Sequence, residues 1–246
     1  MKNSNKYFFV LLGLFFSSAI SSQQNKLGLS ITHLTGNFYV CVSYKILNGS
    51  PFPSNSMYLV TEKGVVLFDT PWDNSDFQPL LDSISNRHHK KVILCIATHF
   101  HDDKSAGLSY YASKGIKTYS SALTRELCKD DNDKKASFVF ANDTAFNIGS
   151  YRLETYYPGE GHTKDNIVIW FEKEKILYGG CFIKSTDTND IGNIADANVK
   201  AWPQSVKNTM HTFPDAKYII PGHLSWASNK SLEHTLEILE KNSNKK

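Results

Sequence analysis

The sequence predicts an α/β fold in which two mixed β-sheets pack face to face with helices on their outer surfaces. Three observations predict it. Strand hairpins fill the early part of the chain, a strand–helix crossover follows, and the same kind of series then recurs. No linker, charge run or internal repeat divides the chain, so a single domain is expected.

The N-terminus reads as an address. Lys2 and Lys6 form a basic start, and Tyr7 to Ile20 is apolar but short for a bilayer span. Ser17, Ser18, Ala19, Ser21 and Ser22 supply the small residues of a cleavage region. Residues 1–22 are therefore expected to be a secretory signal peptide, leaving residues 23–246 as the domain, in the periplasm. An uncleaved anchor is the alternative; no Cys stands there for lipid attachment, and no later segment is apolar enough to cross a membrane.

Ile31–Leu34 and Phe38–Val42 are strand-like, while Lys45–Pro53, between Tyr44 and Ser56, is rich in turn residues and reads as a loop. Ser56–Thr61 and Gly64–Asp69 form a hairpin turning at Glu62-Lys63. Asp76–Arg87 reads as a helix that tolerates Pro79 in its first turn. Lys91–Ala97 is an apolar, β-branched run, hence a buried strand. Ser105–Lys114, closed by Gly115, and Ser121–Lys129 read as helices. Strands follow at Phe138–Phe140, Phe146–Ile148 and Tyr151–Tyr157, then a hairpin of Ile167–Phe171 and Lys175–Tyr178. Trp202–Phe213 and Ser231–Lys241 are amphipathic helices flanking the strand Lys217–Ile220, with Leu232, Leu236 and Leu239 on one face of the last helix.

Charge excludes some partners. The net charge is +3, or about +1 without Lys2 and Lys6, which gives no field for nucleic acid. Four cysteines in an exported chain leave disulfides open, although Cys41, Cys95 and Cys128 sit where buried thiols fit. No heptad or apolar patch demands a partner, so a monomer is expected.

The chemistry concentrates in Thr98-His99-Phe100-His101-Asp102-Asp103, just past the strand Lys91–Ala97. Donors at every second position converge from an extended segment, whereas a helix would send them to opposite faces. His162 follows Gly159-Glu160-Gly161, Cys181 follows Tyr178-Gly179-Gly180, and His223 follows Pro221-Gly222. Each donor follows a strand end and a glycine, a place where loops meet at a sheet rim. His99, His101, His162, Asp103, Cys181 and His223 are too many for one tetrahedral zinc but divide into three plus three. Three protein ligands leave an open position, as at catalytic zinc, and imidazole, thiolate and carboxylate suit Zn²⁺ better than Mg²⁺ or Ca²⁺.

On these motifs the chain resembles the metallo-β-lactamases, subclass B1, whose fold is an αββα sandwich. The resemblance implies that His99, His101 and His162 hold one zinc and Asp103, Cys181 and His223 a second. It implies that Lys184 anchors the substrate carboxylate, that Asn193 polarises the lactam carbonyl, and that Asp103 orients the nucleophile. Asp69 would support the histidine loop, and Lys45–Ser54 would be a mobile flap over the site. The implied function is zinc-dependent hydrolysis of the amide bond of penicillins, cephalosporins and carbapenems by a zinc-bound hydroxide, conferring antibiotic resistance. Cys181 sets the subclass, because many hydrolases of this fold place a metal-bridging carboxylate there. Ser105-Ala106-Gly107 departs from the family's frequent Gly-Gly, and Lys104 adds a charge beside the second metal. Ordinary readings compete: Lys184 as a solvated side chain, Asn193 and Asp69 as turn residues. Hydrolysis of another ester or thioester, or a zinc-binding module without turnover, are the other functions the fold allows.

Overall fold

The computed structural model describes residues 28–129, 131–141 and 143–243; the expected signal peptide lies outside the described residues. The first sheet has seven strands in chain order: β1 (Ser30–Thr35), β2 (Phe38–Leu47), β3 (Ser50–Thr61), β4 (Gly64–Phe68), β5 (Val92–Ile96), β6 (Lys117–Ser121) and β7 (Phe138–Phe140). Its first four strands pair antiparallel and the rest parallel. The helices α1 (Phe77–His88), α2 (Asp102–Ser105), α3 (Leu108–Ser113) and α4 (Ala122–Leu127) belong to these crossovers. The second sheet has the order β12-β11-β10-β9-β8, built from β8 (Ala145–Ile148), β9 (Tyr151–Tyr156), β10 (Val168–Phe171), β11 (Ile176–Gly180) and β12 (Tyr218–Pro221). Helices α5 (Trp202–Thr212) and α6 (Ser231–Ser243) flank β12 in sequence.

Period-two alternation sorts the strand side chains into layers. Val66 and Phe68 of β4 join Ile96, Ile169, Phe171 and Tyr178 between the sheets, whereas Val65 and Leu67 face Leu80, Ile84, Leu108 and Tyr111 of the helices. On the other flank, Val168, Leu177 and Ile219 pack against Trp202, Val206 and Leu239. Three apolar layers make the four-layer αββα sandwich that the sequence predicts. Leu232 and Leu239 are buried there, with Leu236 packed against them.

Two elements differ from expectation. The stretch expected as a loop from Lys45 to Ser54 is strand: β2 and β3 pair without a break from Phe38↔Leu59 to Leu47↔Ser50. Asn48 and Gly49 both take positive φ (51° and 79°), the two-residue turn whose twist matches the flanking strands. Pro51 and Pro53 are tolerated because β4 pairs with β3 only from Met57 to Thr61, leaving one edge open. Beyond Val42, where β1 ends its pairing, β2 and β3 pair only with each other. The helix expected over Ser105–Lys114 is two short ones, with Asp103 in the first turn of α2. Gly107 divides them: its N–H donates to Thr70 Oγ1 at 3.1 Å, and a Cβ there would press on Phe77 and Thr70. Cys41, Cys95, Cys128 and Cys181 are all buried free thiols, so the disulfide alternative lapses.

Candidate metal centre

The six predicted donors come together at one rim of the sandwich. The rings of His99, His101 and His162 form a near-equilateral triangle, with centroids 4.9, 5.1 and 5.0 Å apart and planes crossing at 73° to 90°. His101 Nδ1 and His162 Nε2 lie 3.2 Å apart. In the second group, Cys181 Sγ is 3.2 Å from both Asp103 Oδ2 and His223 Nε2, and the last two are 3.4 Å apart. Ligand bonds of about 2.0–2.3 Å at tetrahedral angles give donor–donor edges of roughly 3.4 Å. The observed edges match that size. His99 Nε2 is buried without a hydrogen-bond partner, the orphan expected of an atom meant for a cation. Three-donor clusters drawn from these residues have all ligand atoms within 4.8 Å of one another. The donor set therefore fits zinc.

Local sequence explains the convergence. Gly222 lies against Cys181 so closely that a Cβ would meet its Sγ at 2.6 Å and its backbone N at 2.5 Å. Only glycine brings the two donors together. Past it, Leu224 takes φ 63°, held by Asn55, whose Nδ2 donates 2.9 Å bonds to the carbonyls of Pro221 and Leu224. His223 Nδ1 bonds the Pro53 carbonyl at 2.7 Å, which turns Nε2 toward the cluster.

Asp69 supports the histidine loop. Fully buried and itself at φ 66°, it accepts from Thr98 N (2.7 Å), Thr98 Oγ1 (2.9 Å) and Tyr178 Oη (2.7 Å), fixing the residue before His99. Burial pushes its carboxyl up to about 7, against the charge of Lys104 and these donors.

Lys104, read from sequence as an extra charge near the second metal, is wholly buried. Its ammonium donates to Ser54 Oγ (2.8 Å) and Asn55 O (2.9 Å), approaches Gly222 O at 3.4 Å, and lies 3.1 Å from Asp103 Oδ2. Burial alone would raise the Asp103 carboxyl, but Lys104 and His223 outweigh it and hold it well below the ordinary range. Burial keeps His99 and His162 well below the usual imidazole range and lowers His223 to about 4, so all three are neutral and free to ligate near neutral pH. Burial, then Asp103, raises the Cys181 thiol.

The centre floors a cleft of about 780 Å³, with Phe52 and Asn48 of the hairpin on one side and Lys184 and Asn193 on the other. Lys184 is not solvated: it is 7% exposed, with Nζ 5.1 Å over the Trp202 ring. Asn193 spends its Oδ1 on a turn, accepting from Ala195 N at 3.1 Å, which leaves the amide NH₂ as its donor. His88 and His33 lie away from the centre: His88 bonds Tyr58 Oη and His33 bonds Gly36 O. Sequence reading missed Asp196, whose Oδ2 lies 3.0 Å from His101 Nε2, and Ser54, whose hydroxyl donates to Asp103 Oδ2 at 3.2 Å. No motif singles out either residue.

The family described as the metallo-beta-lactamase superfamily matches residues 49–223. Metallo-beta-lactamase type 2 of Elizabethkingia meningoseptica is 44% identical over 211 residues, covering 86% of this chain and 85% of the relative. Metallo-beta-lactamase IND-1 of Chryseobacterium indologenes is 39% identical over 241 residues, 98% of this chain and 100% of its own. Among solved structures, metallo-beta-lactamase IND-7 superposes with a TM-score of 0.83 at 40% identity, over 86% of this chain and 98% of that one. A metallo-beta-lactamase from Pontibacter korlensis gives 0.83 at 36% identity, over 86% and 99%.

Proposed function

The chain belongs to the metallo-beta-lactamase superfamily, and from that premise we propose how its cleft opens the four-membered amide ring of β-lactam antibiotics. The protein is a zinc-dependent β-lactam hydrolase and confers resistance to these drugs. Two zinc ions are held, one by His99, His101 and His162 and the other by Asp103, Cys181 and His223, in the B1 manner. The observation that carries this reading is the second triangle of donors, with edges of 3.2, 3.2 and 3.4 Å around Cys181.

Zinc held by these residues would supply hydroxide near neutral pH and a Lewis acid for the lactam carbonyl. The chain's own residues do the rest. Lys184 holds the substrate carboxylate by a charge-assisted hydrogen bond and so fixes the carbonyl over the metal floor. The Asn193 amide donates to the developing oxyanion. Asp103, anchored by Ser54 and Lys104, orients the attacking oxygen. The hairpin tip, with Leu47 and Phe52 partly exposed, covers the apolar side of the substrate.

Residues 1–22 direct export to the periplasm and are removed, leaving residues 23–246 as a monomeric enzyme without an anchor. The basic start and short apolar run support this, and among the described residues no helix is long and apolar enough to cross a membrane. The test is hydrolysis of a chromogenic cephalosporin by purified protein, with and without a chelator. Ring opening that the chelator abolishes and zinc restores is expected; ring opening indifferent to chelator overturns the assignment.

A further inference from the structure

Between Cys181 and Trp202 the chain forms no helix or strand, yet it carries both Lys184 and Asn193. A few bonds fix its course near Asn193, and they run to the histidine loops of the first metal group. Asn198 N donates to Gly161 O at 2.9 Å, and Asn198 Nδ2 donates to Glu160 Oε2 at 2.6 Å, just before His162. Asp196 Oδ2 meets His101 Nε2 at 3.0 Å. Closer to Asn193 the bonds are local: Asp190 Oδ1 accepts from Gly192 N, and Asn193 Oδ1 accepts from Ala195 N. On the N-terminal side Ile191 packs into the core beside Phe182 and Trp202. The Asp196–His101 bond is the nearest hydrogen bond from Asn193 to the body of the protein and holds the segment from its other side.

That bond depends on which ring nitrogen carries the proton. His101 turns Nδ1 toward His162 Nε2, the metal-facing side, and Nε2 away toward Asp196. A metal on Nδ1 forces the proton onto Nε2, where it donates to the carboxylate and is strengthened by the cation behind it. Without metal the imidazole also populates the other tautomer, in which two lone pairs face each other and the tie is lost. Asp196 is about half exposed, so water competes whenever the bond weakens.

We propose that Asp196 is a positioning residue that makes the Asn193 segment respond to the first metal: zinc on His101 locks the tautomer, and Asp196 passes that lock to the segment presenting the Asn193 amide. This rests on the zinc reading above. The loop then reaches its productive shape only in metal-loaded enzyme.

Hydrogen exchange by mass spectrometry over residues 189–200 tests it, on the full chain with and without zinc, in wild type, Asp196→Ala and Asp196→Asn. Zinc content is measured on the same samples. In wild type, zinc should slow exchange of these amides by roughly tenfold, the scale of one charge-assisted hydrogen bond. Asp196→Ala should bind zinc yet lose that slowing, with kcat falling more than KM rises. Asp196→Asn keeps an acceptor and should regain part of the slowing. If Asp196→Ala retains the zinc-dependent slowing in full, or wild type binds zinc and shows none, the proposal is overturned. Wild type that takes up no zinc at all would instead overturn the metal-site reading beneath it.

Discussion

Replacing Lys104 by Met isolates the contribution of one buried charge. The side chains are of similar length, so packing changes little. Of the oxygens that the ammonium contacts, the Gly222 carbonyl keeps Asn55 N at 2.8 Å, and the Asn55 carbonyl keeps a share of the Tyr178 hydroxyl at 3.0 Å, whose shorter bond of 2.7 Å goes to Asp69. The deficit therefore falls on Asp103, which is 4% exposed and would be left with only the Ser54 hydroxyl and the Cys181 thiol as near donors. Removing one partner of a buried ion pair costs about 3–5 kcal/mol. At roughly 2–4 °C per kcal/mol for a chain of this size, the zinc-free melting temperature should fall by about 10 °C. In zinc-loaded protein the cation compensates Asp103 directly, and the loss should be much smaller. Urea unfolding followed by tryptophan fluorescence, with chelator and with zinc, measures both. A zinc-free loss below about 1 kcal/mol, the worth of an ordinary hydrogen bond, refutes the reasoning, as do equal losses in the two conditions.

Three further outcomes are expected. Cys181→Ser replaces a metal-binding thiolate by a hydroxyl that stays protonated; the second zinc should be lost on dialysis and turnover should collapse with the fold intact, as read by metal content and circular dichroism. Lys184→Ala should raise KM by about tenfold, the scale of one charge-assisted bond, with kcat less affected; an unchanged KM removes Lys184 as the carboxylate anchor. The zinc-free protein should lose stability as pH falls from 6.5 toward about 4, because unfolded chains take up protons that buried His223 resists. His99 and His162 act in the same direction, and Asp69 opposes them, since its raised carboxyl favours the folded state on the acid side of about 7. A urea midpoint that rises on acidification across that window would contradict the dominance of the imidazoles.

Much of the site was legible because its donors obey a simple rule of position. A glycine past a strand end lets a loop turn back over the sheet rim, and His162, Cys181 and His223 all follow one. Layer assignment was equally legible, since alternation in Val65-Val66-Leu67-Phe68 sends successive side chains to opposite cores. The hairpin was misread because its prolines outweighed Asn48-Gly49, the one dipeptide that specifies such a turn. Lys104 and Asp196 were not legible for another reason. Their partners, Ser54 and Gly222 for one and His101 for the other, arrive from distant parts of the chain. No local pattern tells a buried lysine or a tethering aspartate from the solvated kind.

Consecutive residues of β3 brace the second metal group: Pro53 holds His223, Ser54 holds Asp103, and Asn55 accepts from Lys104. The same strand runs on to Phe52, whose ring sits 5.1 Å from that of His223, and then to the free hairpin tip. Whatever leans on the tip thus pulls on the strand that sets ligand angles. Substitutions at Leu47 or Phe52 are therefore expected to change how fast zinc is lost to a chelator, read as zinc content against time. A molecule wedged beneath the tip should change zinc retention in the same assay without touching the metal.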